Sequence, residues 1–174
     1  DTEDNTTDNS SNTHDITDNS SNNTSDKDSE YTSGSTKVTP NFNDVADDAY
    51  YAAPVKWAVE NGITTGTSST AFSPDMTCTR AQILTFIWRA AGSPTASAAN
   101  PFSDVTADDY YYNAAIWAYE NDMVTGSTFD ADTPCTRSST VTYLWKFNGS
   151  PVLGIPSLFK DVSDDAEYAD AVSW

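Results

Sequence analysis

Basic residues are scarce in this chain. Eight lysines and arginines face 26 aspartates and glutamates over 174 residues, a formal net charge of -18 at pH 7. So acidic a chain cannot neutralise a phosphate backbone, which argues against nucleic acid as a partner. Anionic membrane surfaces are disfavoured on the same ground. No apolar run approaches the roughly 18 residues of a spanning helix, so membrane insertion is not expected. One histidine, His14, and two cysteines, Cys78 and Cys135, complete the short supply. They provide no Ser/His/Asp set and no metal cluster, and no phosphate-cradling glycine loop accompanies them. The chain opens on Asp1-Thr2-Glu3 with no secretory leader, which carries no weight if it is a mature or trimmed product.

Apolar residues are also few, at 37%, with a mean hydropathy of -0.53, and the shortfall lies at one end. Residues 1–40 hold nine acids against Lys27 and Lys37, with Ile16, Tyr31 and Val38 as nearly the only apolar side chains. Such a segment buries too little surface to offset the entropy of ordering, so the composition predicts a disordered acidic tail or linker. Asp26, Asp28 and Glu30 are spaced like the start of a calcium loop. The glycine that such a loop needs at its sixth position is missing, which argues against that site.

What the rest of the chain has is repetition. Phe42-Asn43-Asp44-Val45 returns as Phe102-Ser103-Asp104-Val105 and again as Phe159-Lys160-Asp161-Val162. Trp57-Ala58-Val59-Glu60-Asn61 returns as Trp117-Ala118-Tyr119-Glu120-Asn121, and Cys78-Thr79-Arg80-Ala81 as Cys135-Thr136-Arg137-Ser138. The offset is 60 residues from Phe42 to Phe102 and 57 from Cys78 to Cys135, so the intervening loop is three residues shorter in the second copy. Self-similarity at this period predicts an array of small units that bury their apolar faces against one another. The boundaries read as a first repeat over 41–92, a linker over 93–101, a second repeat over 102–149, a linker over 150–158 and a third repeat, cut short, over 159–174.

Each full unit reads as helix, loop, helix. Val55, Ala58 and Val59 fall at helical spacing, with Pro54 confined to the first turn, Asp47-Asp48 as capping carboxylates and Asn61-Gly62 as the stop. Thr79-Arg80-Ala81-Gln82 is a capping box that opens the second helix, with Cys78 placed to pack on Ile83, and Gly92 closes it. In the second unit Ser139 replaces the reciprocal Gln, so that helix is expected to fray more readily at its start. A third-unit helix is expected to open at Glu167 and to be loosely held. The fold class is therefore mainly α.

The order Phe-x-Asp-Val, Trp-Ala-x-Glu-Asn-Gly, Phe72-Ser73-Pro74-Asp75 and Thr79-Arg80-Ala81-Gln82 resembles the S-layer homology repeat, over roughly 41–149 and partly over 159–174. The resemblance implies a pseudo-threefold helical domain. It also implies a non-catalytic module, anchored outside a bacterial cell, that binds an anionic secondary cell-wall polysaccharide, often pyruvylated, in grooves between repeats. No cofactor is implied. The family's Thr-Arg-Ala-Glu motif falls on Arg80 and Arg137, with Glu replaced by Gln82 and Ser139 and with Cys before Thr where a larger aliphatic is usual.

Arg80 and Arg137, beside helix N-terminal N–H groups, suit a carboxylate such as a ketal pyruvate. Pairing with an acid of the neighbouring repeat, Asp104 or Asp44, is the other reading, and the resemblance tips the balance to the ligand. Trp57, Trp117 and Trp174, like Tyr110, Tyr111 and Tyr112, present rings to sugars or pack a core. Aromatics at helical spacing are more often core. Asp44 and Asp104 cap structure or accept bonds from a sugar, with structure the better reading. Gly66 and Gly126 allow tight turns in the loops. With Gln82, Trp57 and Trp117 these complete the candidate ligand residues. Adjacent carboxylates such as Asp47-Asp48 and Asp108-Asp109 lack the cross-cleft geometry of a glycosidase pair. Cys78 and Cys135 read as two small buried staples; a disulfide between them would close a long loop and stabilise by roughly 4 kcal/mol. Peptidoglycan is the other wall partner, and fusion to a larger surface protein is expected. The competing functional reading is a protein-interaction or S-layer assembly module that binds no glycan.

Overall fold

Helices form where the apolar residues recur at helical spacing. The structure, a computed structural model, describes residues 42–174. The acidic segment with His14, Asp26, Asp28 and Glu30 lies outside the described residues. Among the described residues five helices follow one another: α1 (Ala52–Glu60), α2 (Arg80–Ala90), α3 (Tyr112–Glu120), α4 (Arg137–Phe147) and α5 (Ala169–Ser173). Among the described residues the sole strand-like feature is one antiparallel bridge, Thr79 with Pro134. The molecule is mainly α, as the patterning predicts.

Local chemistry sets the helix ends. Thr79 accepts from the Gln82 N–H while the Gln82 side chain accepts from the Thr79 N–H, so the capping box is complete. Thr136 caps α4 through the Ser139 N–H alone. Asp47 and Asp48 do not cap α1. Its first residues follow two successive turns, Ala49 N–H to the Ala46 carbonyl and Ala52 N–H to the Ala49 carbonyl, and the cap position, Tyr51, makes no side-chain bond. A chain that enters a helix through turns leaves fewer orphan N–H groups to satisfy. The helix expected at Glu167 begins two residues later, at Ala169.

Packing runs between units. α3 lies on α2, α5 lies on α4, and α2 touches α4, while among the described residues α1 packs against no other helix. The second helix of one unit thus receives the first helix of the next. Leu84 from α2, Ala115 and Ala118 from α3, and Phe129 from the second loop form one core, all essentially inaccessible to solvent. The Phe129 ring stacks on Tyr111 at 5.4 Å and tilts against Phe102 at 5.4 Å. Because no helix covers α1, Trp57 is 59% exposed, while its counterpart Trp117 is 7% exposed and meets Phe147 edge to face.

Gly66 shows why its loop needs glycine. Its φ is +79°, and an added Cβ would sit 2.5 Å from the Phe42 ring and 2.6 Å from the Ala71 carbonyl. Gly126, at φ +102°, faces open space. Gly126→Ala is expected to cost about 1 kcal/mol and Gly66→Ala at least about twice that, read as midpoints in urea unfolding. Phe129→Ala should cost about 3–5 kcal/mol in the same experiment, because its cavity opens at the junction of two units.

Candidate functional site

The loop that follows each first helix is fixed by a carboxylate. The backbone N–H groups of Phe72 and Ser73 donate to the two oxygens of Asp44 at 2.9 and 2.7 Å. Those of Phe129 and Asp130 donate to Asp104, each at 2.8 Å. These amides, with the Phe129 bond foremost for Asp104, hold both carboxyls below the ordinary value of 3.8. Asp44 and Asp104 therefore shape loops rather than cap helices.

Arg80 reaches the loop so fixed. Its guanidinium donates to the Phe129 carbonyl at 2.7 Å and lies 4.0 Å from the Asp130 carboxylate. The hydroxyl of Tyr143 on α4 stands beside it. The Arg80 and Ala81 N–H groups bond the Thr133 and Ala131 carbonyls of the same loop. The first turn of α2 is thereby sewn to the second unit. The ion pair is mostly solvated and adds little by itself, so the carbonyl bond is the stronger tie.

Above that seam lies a groove of about 560 Å³, within the roughly 300–1,000 Å³ range of small-ligand sites. Its walls come from the first loop, including Gly66, Phe72 and Met76, from α2 with Gln82, Thr85 and Arg89, and from Tyr110 of the second unit. With its oxygen engaged at the helix cap, Gln82 keeps its amide N–H groups for the groove. Arg89 donates one N–H to the Ile63 carbonyl at 3.1 Å, which leaves other guanidinium donors. Tyr110 is 62% exposed, and the hydroxyl of Thr85 is buried with no hydrogen-bond partner. A second groove of about 500 Å³ lies between α4 and the third unit, lined by Arg137, Val141, Phe159, Asp161 and Tyr168.

Of the candidate ligand residues, Gly66 and Gln82 meet in the first groove, and Arg137 lines the second. Arg80, Asp44 and Asp104 line neither. Trp117 is core, Trp57 is an exposed ring on α1, and Gly126 is exposed in its loop. Thr85 and Arg89 were not singled out by the motifs. Their signal was the spacing of Gln82, Thr85 and Arg89, three and four residues apart along one helix face.

With this geometry in view, the family description of the S-layer homology domain matches residues 41–84 of the chain. Such a domain is a non-catalytic module that associates proteins with the bacterial cell surface and binds cell-wall polymers. An endoglucanase of Bacillus sp. (strain KSM-635) is 36% identical over 87 residues, which is 50% of this chain. The match spans only 9% of that relative's length.

The fixed carboxylates predict an acid limb. Asp104 ionises more readily in the folded state, so its contribution is complete above 3.8 and is lost as pH falls through its lower native value. Thermal melts of Asp104→Asn and of the unsubstituted chain, from neutral pH down to about pH 2, should therefore differ most at neutral pH and converge in acid.

Proposed function

We propose that the chain is a non-catalytic wall anchor that holds an anionic secondary cell-wall polysaccharide in the groove between its first and second units. The 41–92 and 102–149 segments act as S-layer homology repeats, with 159–174 contributing the start of a third. The observation that carries this reading is the groove itself. A guanidinium from Arg89, an amide from Gln82 and an exposed Tyr110 ring converge on one cavity that two units build together. An arginine fork suits a carboxylate such as a pyruvyl ketal, a side-chain amide suits sugar hydroxyls, and an aromatic face suits a sugar ring.

Arg80 enters as the residue that fixes the two walls relative to each other, and Asp44 and Asp104 as the residues that shape the loops. Arg137 takes the place of Arg89 in the second groove, where Tyr168 offers the ring. Gly66 lets the first loop pass close to Phe42 and so defines the rim. Trp57 offers a further exposed ring beyond the groove, and Gly126 gives the second loop its turn. The chain's wider role, as one part of a larger surface protein, is supported by the small fraction of the endoglucanase that it matches.

Co-sedimentation with purified wall sacculi tests the reading. Binding should disappear when the wall polysaccharide is stripped, and Arg89→Ala combined with Tyr110→Ala should weaken it by about tenfold or more with the melting temperature little changed. Equal binding to stripped walls would move the site to peptidoglycan. A second reading, assembly with other surface proteins, is favoured by the exposed apolar side chains of Val152, Leu153, Ile155, Leu158 and Phe159. Self-association without wall binding would establish it in place of the first.

A further inference from the structure

The two cysteines stand 57 residues apart in sequence and their backbones meet in space, with both thiols free and the Cys135 sulfur 3.5 Å from the Thr140 hydroxyl. Thr79 and Pro134 form an antiparallel bridge, and the flanking hydrogen bonds fix its register. The Cys135 N–H donates to the Cys78 carbonyl at 2.9 Å on one side, and the Arg80 N–H to the Thr133 carbonyl at 2.9 Å on the other. In an antiparallel pairing the partner of each next residue steps back by one, so Cys78 is directly opposite Cys135. Residues opposite each other in an antiparallel pairing have Cα atoms about 4.5–5.5 Å apart and side chains on one face. Disulfides span Cα separations of about 4.4–6.8 Å.

We infer that Cys78 and Cys135 are a disulfide-forming pair that crosslinks the first unit to the second. Both thiols are half-buried, and each precedes the capping threonine of a helix, Thr79 for α2 and Thr136 for α4. Their backbones are therefore held at both ends. Cys78 also lines the open groove, where a small oxidant reaches it. Burial first, and then the Cys135 sulfur, push the Cys78 thiol above its ordinary value, which agrees with two sulfurs within each other's field.

The oxidant is a low-molecular-weight disulfide of the kind found in oxidising extracellular settings. One protein thiolate attacks a sulfur of the small disulfide, forming a mixed disulfide and expelling one small thiolate. The second protein thiolate then attacks the protein sulfur of that mixed disulfide and expels the other. The protein loses two electrons and two protons, and the small disulfide leaves as two thiols. Because the thiolate is the attacking species, raising the pH accelerates the exchange. The link closes a 57-residue loop across the unit boundary and so restricts the unfolded chain most where the native contacts are already made. This inference rests on the bridge geometry and is independent of what the groove binds.

The test uses the full chain in glutathione disulfide or in dithiothreitol, with Cys78→Ser, Cys135→Ser and the double serine variant alongside. Both thiols should be lost together in glutathione disulfide, with a non-reducing peptide map that joins Cys78 to Cys135 within one monomer. The oxidised chain should melt roughly 10 °C above the reduced one. The double variant should melt alike in both buffers, and each single variant should instead accumulate the glutathione adduct. Stable glutathione adducts on the unsubstituted chain, crosslinked dimers, or two thiols still free after oxidation would each overturn the inference. A crosslink that lowers the melting temperature would overturn it too.

Discussion

The bond from the Arg80 guanidinium to the Phe129 carbonyl is the constraint on which the rest of the structure depends. It joins the start of one unit's second helix to the loop of the next unit. Asp104 helps to present that loop in a fixed shape by holding the neighbouring amides. The two parts act together: the carboxylate fixes the direction of the carbonyl, and the guanidinium adds a side-chain tie to the backbone bonds that already hold the loop against α2. The buried Phe129 ring then places the apolar core under the same residue whose backbone makes the polar tie. Polar specificity and apolar burial are thus concentrated on a few residues at one boundary.

The same boundary explains the groove. The first loop and α2 form most of its wall, and Tyr110, just before α3, closes it from the second unit. A ligand that touches both walls gains from contacts already made and orders little on binding, which favours affinity.

Much of the fold was legible in the sequence because its signals are local. The Thr79–Gln82 capping box, the weaker Thr136 cap and the stop at Asn61-Gly62 involve neighbours a few residues apart, and each forms as read. The partner of Arg80 was not legible, since it is a backbone carbonyl 49 residues away that carries no side-chain identity. Trp57 and Trp117 share one motif and differ in exposure because only the second has a helix laid over it. Asp44 and Asp104 sat just where a helix cap would be sought, yet they serve a loop 28 and 25 residues further on. Arg89 was hidden by its position in the last turn of α2, where a cation is expected simply to complement the helix dipole.

Each second helix receives the first helix of the following unit, and this has a mechanical meaning. Tension that enters through the chain after Gly92 does not meet a bead that can unravel by itself, because α3 is seated on α2 of the unit before it. The tryptophans of the second helices take up the pull first: the Trp88 indole donates to the Pro94 carbonyl and the Trp145 indole to the Pro151 carbonyl, each at 2.9 Å, just where each helix passes into its linker. A tug on the linker therefore acts first on a side-chain hydrogen bond rooted in the helix, and only then on the docked helix pair. That order spreads a sudden force over several contacts before any unit must open.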